Sequence, residues 1–317
     1  MVDELDKFEA DYFHIDCNND IKVFDDISYI HKRSSTPIDL HIISNSPEDF
    51  FGEIRKYCIK QVSFQYENFA QKVNFPNNLG TEIGLAITSN TSVDVFESYK
   101  DVCSYVLLMT TTPGQSGGVF DKNTFKRIRE FRKKFPNKAI QVDGGVNAEI
   151  SFILRNLGVD SAVVGSYLFN KPLALALFHL KKQAVGSHYL LKDFMLTLEE
   201  LPVINEEELT FEKALRSIED FKMAFTLVVN YEGKLTGLIS NAEVRKGLLK
   251  NLADLNGIDA NQIINYNPLR LEEDKTIYDL LAFIKHTTFP LQYLPVVDCN
   301  NKLKGAIIFT QLIKGEL

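Results

Sequence analysis

Two histidines and two aspartates carry the clearest chemistry in this 317-residue sequence. His14 and Asp16 lie two apart in "YFHIDCNND", His41 falls in "PIDLHII", and Asp143 precedes two glycines in "AIQVDGG". Each stretch reads as a β-strand, and alternate residues of a strand face the same side, so His14 and Asp16 share a face. Two imidazoles and two carboxylates arriving from three strand ends make a ligand set for one divalent metal ion, with zinc, iron, manganese and cobalt all suitable. Taken singly, each residue has a plainer explanation: a hydrogen-bonded core histidine, or an aspartate that forms a turn. Together they favour the metal, because four separate buried charges would each need their own compensation.

A second set of residues points to an anion. "TTPGQSGGVF" (111–120) supplies Gly114, Gly117 and Gly118, the stretch after Asp143 supplies Gly144 and Gly145, and Gly165-Ser166 follows a later strand-like run. Glycine turns that lead into helices present free backbone N–H groups, and these suit a phosphate.

The elements that must position these residues follow one rhythm. From residue 12 to about 169 the strand candidates are "YFHID", "PIDLHII", "QVSFQYE", "EIGLAI", "YVLLMT", "AIQVDGG" and "SAVVGSYLF". Helix-like segments such as "SPEDFFGEIRKYCIK", "DKNTFKRIREFRKKF" and "NAEISFILRNLGV" lie between them, and "DELDKFEAD" precedes the first. Alternation of this kind predicts a parallel sheet wrapped by helices, a TIM-type (β/α)8 barrel with its site at the C-terminal strand ends. The strand count is one short of eight. The expectation is that a first strand precedes Met1, or that the barrel closes imperfectly.

Beyond "KPLALALFHLKKQAVGSHYL", read as a last barrel helix and connector, lies an internal repeat. "LVVNYEGKLTGLIS" (227–240) and "LPVVDCNNKLKGAII" (294–308) match at Val228/Val296, Val229/Val297, Lys234/Lys302, Leu235/Leu303 and Gly237/Gly305. Each reads as strand, turn, strand and helix, with an amphipathic helix before it ("TFEKALRSIEDF", "TIYDLLAFIKHTT"). Such repeats pack against each other across a pseudo-two-fold. The expected domains are residues 1–186 and 187–317.

Composition narrows the partners. Hydrophobic residues make up 45% and charged residues 24%, with a formal net charge of -7, so nucleic acid and anionic membrane are not expected partners. No apolar run is long enough to span a bilayer. Cys17, Cys58, Cys103 and Cys299 show no CxxC spacing, which reads as buried free thiols in a reducing cytoplasm.

Taken in chain order, "HIDCNND", "DLH" (39–41), "MTTTPGQSGGVF" (109–120), "VDGGV" (142–146) and "GS" (165–166) resemble the motifs of the ribulose-phosphate 3-epimerase family, which reads HxDxMDG, DxH, MTxxPGFGGQxF, VDGGV and GS. The resemblance covers residues 2 to 184. It implies a TIM barrel that inverts C3 of a ketose 5-phosphate, with His14, Asp16, His41 and Asp143 at the family's metal-ligand positions. The residues fit that chemistry independently: inversion α to a ketone needs a proton carrier on each face, and Asp16 and Asp143 qualify. Some positions depart from the family. Asn18-Asn19-Asp20 replace its MDG, Ile43 replaces a methionine while Met109 is kept, residues 113–118 differ from PGFGGQ, and Gln65 stands for the histidine of FHxE. The substrate expected is ribulose or xylulose 5-phosphate, or a related hexulose or heptulose phosphate. The competing expectation is a non-catalytic sensor built on a decayed barrel.

The second half resembles a CBS-domain pair, with Gly237, Ser240, Glu243 and Arg245 matching its pattern. That resemblance implies an adenosine or sugar nucleotide at Ser240/Glu243, with Ile308 and Gln311 leaving the facing site degenerate, or else a purely dimerising role. A homo-oligomer is expected.

Overall fold

Seven strands build the first half: β1 (Phe13–Cys17), β2 (Ile38–Ile42), β3 (Gln61–Gln65), β4 (Glu82–Ile87), β5 (Tyr105–Met109), β6 (Ala139–Asp143) and β7 (Ser161–Val163). They form one parallel sheet in sequential order, β1 to β7. The computed structural model describes every residue except 1, 9, 77–78, 115–116, 182–188, 253, 255–256, 288–290 and 310–317. The chain divides into two compact units, Met1–Val185 and Gly186–Ile313.

The first sheet is rolled. Strands sit about 4.8 Å apart, so a flat sheet would hold β1 and β6 roughly 24 Å from each other. Instead, His14 Nε2 on β1 lies 3.9 Å from Asp143 Oδ2 on β6, which requires a barrel. β2, β3 and β5 are buried at every residue, as expected for strands with side chains inside and helices outside. Helix α1 (Asn123–Lys134) presses Phe125, Ile128 and Phe131 onto that outer face, and α2 (Ala148–Asn156) adds Ile150, Ile153 and Leu154. Asn147 caps α2 by accepting from the Ile150 amide, an N-terminal device that satisfies an otherwise free N–H.

Two boundaries differ from the sequence reading. The predicted strand "SAVVGSYLF" stops at Val163, because Gly165 turns the backbone into the short helix Ser166–Phe169. The predicted helix "SPEDFFGEIRKYCIK" divides into a 3-10 turn, Pro47–Phe50, and a helix, Phe51–Lys56. It ends before Cys58, whose φ of 49° leaves the helical region. Of the four cysteines expected to be buried, Cys17 and Cys103 are, while Cys58 and Cys299 lie exposed outside regular strands and helices. The predicted last barrel helix runs over Leu173–Lys181, and the connector beyond it lies outside the described residues.

The second unit holds the repeat. Hairpin β10 (Phe225–Val229)/β11 (Leu235–Ser240) corresponds to β13 (Tyr293–Val297)/β14 (Leu303–Ile308). Both carry a register shift at the same place, between Val228 and Val229 and between Val296 and Val297. Lys234 bridges Lys302, and the flanking bonds are reciprocal: Leu235 N–H to Asn301 O and Leu303 N–H to Gly233 O, each 2.9 Å. That exchange is the expected pseudo-two-fold. Parallel strands β9 (Val203–Asn205) and β12 (Leu271–Glu272) flank β10 and β13, and β8 (Leu196–Thr197) joins the outer edge of β14. Helices α3 (Phe211–Phe221), α4 (Asn241–Lys250) and α5 (Ile277–Lys285) lie where the repeat requires them. The two-repeat α/β architecture of a CBS pair is therefore present. Among the described residues, no helix is long and apolar enough to cross a membrane.

Candidate metal centre and active site

Strand register does most of the positioning. β1 and β2 run parallel with His14 opposite Asp39 and Asp16 opposite His41, so four polar side chains alternate with apolar neighbours and turn into the barrel. β6 contributes Gln141 and Asp143 from the far wall by the same two-residue period. His14, Asp16, His41 and Asp143 each place a ligand atom within 4.8 Å of the other three. All four residues expected from the sequence meet in one place.

The spacing has the form of a coordination site. His14 Nε2 lies 3.5 Å from Asp16 Oδ1 and 3.9 Å from Asp143 Oδ2, and His41 Nδ1 lies 3.0 Å from Asp16 Oδ1. Donors about 2.1 Å from a shared centre are about 3 Å apart at right angles and about 4 Å apart when opposite. His14 Nε2 is buried without a hydrogen-bond partner, which is costly unless something fills that place. The donor set and the orphaned nitrogen both fit a divalent cation.

Each histidine is held from behind. His14 Nδ1 donates to Asp39 Oδ2 at 2.7 Å, which leaves Nε2 facing the cluster. Asp39 is 1% exposed, and it also accepts from Gln141 Nε2 at 2.6 Å. His41 Nε2 meets Gln65 Oε1 at 2.8 Å. A carboxylate or amide behind a ligating imidazole sets its orientation and its basicity.

The electrostatics follow from crowding. Burial alone would lower the pKa of His14, but the Asp16, Asp39 and Asp143 carboxylates around it raise it to about 10. Burial would raise Asp16, yet the neighbouring His14 and His41 rings hold it well below the usual carboxylate range. Burial pushes Asp143 up.

The glycine turns gather at the same mouth. A Cβ on Gly144 would fall 2.4 Å from Thr111 Oγ1, and one on Gly145 would fall 2.4 Å from the Phe120 nitrogen. Gly144 and Gly145 have φ of 113° and 63°, a region that glycine alone enters freely. The loops after β5 and β6 therefore interlock. Gly114 (φ 71°) lies against the Asn18 side chain from the loop after β1. Gly117 and Gly118 are exposed in the same loop, whose residues 115–116 lie outside the described residues. Gly165 leads directly into Ser166, the first residue of helix Ser166–Phe169.

In the second unit Ser240 caps α4, and the Glu243 carboxylate folds back to accept from the Ser240 amide and hydroxyl. Arg245 is exposed, Ile308 lies on β14, and Gln311 lies outside the described residues. Ser240 and Glu243 thus already bond to each other.

A scan of family models matches residues 1–169 to the ribulose-phosphate 3-epimerase family. The chain belongs to this family. It is 30% identical over 150 residues to the ribulose-phosphate 3-epimerase of Aquifex aeolicus, covering 45% of this chain and 68% of that one. It is 28% identical over 155 residues to the Buchnera aphidicola enzyme, covering 47% and 68%. The chain is accordingly a sugar-phosphate epimerase, an isomerase. Among solved structures, a CBS-pair protein from Arabidopsis thaliana aligns with a TM-score of 0.35 and 21% identity, over 41% of this chain and 95% of that one. The fold of the second unit rests on its own strand topology, not on that likeness.

Sequence reasoning missed Asp39, Gln141 and the supporting role of Gln65. The signal for Asp39 was available: it lies two residues before His41, and parallel register sets it beside His14. Gln65 was visible only as a departure from a family motif.

Proposed function

We propose that the barrel, residues 1–186, inverts C3 of a ketose phosphate, with ribulose 5-phosphate/xylulose 5-phosphate as the reference pair and a related longer ketose phosphate as the variant. The observation that carries this reading is the convergence of Asp16 on β1 and Asp143 on β6 onto one site. Asp16 would take or return the C3 proton on one face, and Asp143 would do the same on the other, exchanging roles with the direction of reaction. A divalent ion held by His14, Asp16, His41 and Asp143 would supply positive charge beside the ketone and hydroxyl oxygens as the enediolate forms. Backbone N–H groups around Gly114, Gly117, Gly118, Gly144, Gly145, Gly165 and Ser166 would hold the phosphate and so fix C3 between the carboxylates.

We further propose that residues 187–317 act as a regulatory or dimerising CBS pair of a cytoplasmic homo-oligomer, with one adenosine or sugar nucleotide held near Ser240, Glu243 and Arg245. Leu249, Leu252, Tyr278 and Leu281 support the dimerising role, being large apolar side chains left exposed on this unit. The catalytic reading is tested with Asp16→Asn and Asp143→Asn. Each is expected to slow epimerisation on the order of 10²–10⁴-fold, with bound metal measured in parallel by elemental analysis. Near-wild-type turnover in either metal-loaded variant would refute the two-aspartate assignment.

A further inference from the structure

His41 Nε2 and Gln65 Oε1 are 2.8 Å apart, and Gln65 Nε2 lies 2.5 Å from Glu67 Oε2. Both His41 and Gln65 are buried to within 1%, so water does not substitute for either contact. The Glu67 carboxylate also accepts from the Thr88 amide at 2.8 Å, the Thr88 hydroxyl at 3.0 Å and the Thr91 hydroxyl. Burial opposes its charge, but these bonds outweigh burial and keep the group ionised.

Donor and acceptor roles then propagate in one direction only. An ionised carboxylate accepts and does not donate, so the Gln65 amide must present its nitrogen to Glu67. Its oxygen is thereby turned to His41, and an amide oxygen also only accepts. Nε2 must therefore carry a hydrogen. Nδ1, 3.0 Å from Asp16 Oδ1 at the centre of the cluster, is left as the ring atom whose lone pair a cation would take in place of a proton. We propose that Gln65, anchored by Glu67, is a positioning residue that fixes His41 as the Nε2–H form and so presents Nδ1 as the metal-binding atom. A neutral imidazole at position 65 has the same polarity, one acceptor toward His41 and one donor toward Glu67, so histidine and glutamine are equivalent relays at this position.

The inference rests on the metal reading above, and the test separates the two. Zinc is the probe. Long-range ¹H–¹⁵N NMR of the zinc-loaded protein is expected to show His41 bound through Nδ1 with its hydrogen on Nε2. Gln65→Leu is expected to weaken zinc binding 10–100-fold in competition with a chromogenic chelator, and Gln65→His to restore most of it. A purely packing role would move thermal stability without this pattern of loss and rescue. Wild-type protein that binds no zinc overturns the metal centre itself. Zinc bound through Nε2 of His41, unchanged affinity in Gln65→Leu, or Gln65→His as weak as Gln65→Leu overturns the relay alone. Should Gln65→Leu fail to fold, the wild-type spectrum still decides.

Discussion

Asp39 carries more of the site than its distance from any reacting atom suggests. It is buried, accepts from His14 and Gln141, and keeps His14 Nε2 turned toward the other ligands. His14 Nδ1 and Gln141 Nε2 both meet Asp39 Oδ2, so Asp39→Asn leaves a neutral amide oxygen to accept from both and removes the charge behind His14. The expected outcome is a 10–100-fold loss of metal affinity with the fold retained, measured by chelator competition alongside circular dichroism. Unchanged affinity would mean that barrel packing alone orients His14. The four-residue cluster was legible in the sequence because a two-residue period and strand-end placement reveal it. Their supports were harder to read, since Asp39, Gln141 and Gln65 do their work across strands, and cross-strand register is not written in any single stretch.

Among the elements, the loops after β5 and β6 behave as one unit. Gly145 sits at φ 63° with no room for a side chain beside the Phe120 backbone. Gly145→Ala is expected to push the two loops apart and raise KM for the sugar phosphate roughly tenfold or more. That is the order of one lost charge-assisted hydrogen bond, about 1.5–3 kcal/mol. Metal content should stay unchanged, because the ligands lie on the strands below. Steady-state kinetics with elemental analysis checks both, and a fall in metal with KM unaltered would place the phosphate elsewhere. Strand existence was legible throughout this half from alternating and continuous apolar runs. The end of β7 was not, because "SAVVGSYLF" stays apolar while Gly165 changes the backbone, and apolarity alone does not distinguish strand from buried helix.

For the whole molecule, the barrel and the repeated unit pose separate questions. The repeat was legible as residue matches, including Val228/Val296 and Val229/Val297, and the structure adds a register shift at that same place in each hairpin. The engagement of Glu243 with its own helix cap was not, since a glutamate three residues after a serine serves a capping box and a ribose contact equally well. At most one nucleotide per pair is expected. A hundredfold excess over its dissociation constant should stabilise the protein by about 2.7 kcal/mol, read as a thermal shift across adenosine and sugar nucleotides. Glu243→Ala should abolish that shift. A shift that survives the substitution would place the nucleotide elsewhere, and no shift with any ligand would leave the pair as a dimerising module.

The most direct test of the central claim is exchange of the C3 hydrogen with solvent deuterium, followed by NMR on ribulose 5-phosphate and a series of longer ketose phosphates. The expected result is exchange at C3 of at least one substrate that needs added divalent metal, stops on chelation and is lost in both Asp16→Asn and Asp143→Asn. Exchange that persists without metal or in either variant, or none with any ketose phosphate tried, would contradict it.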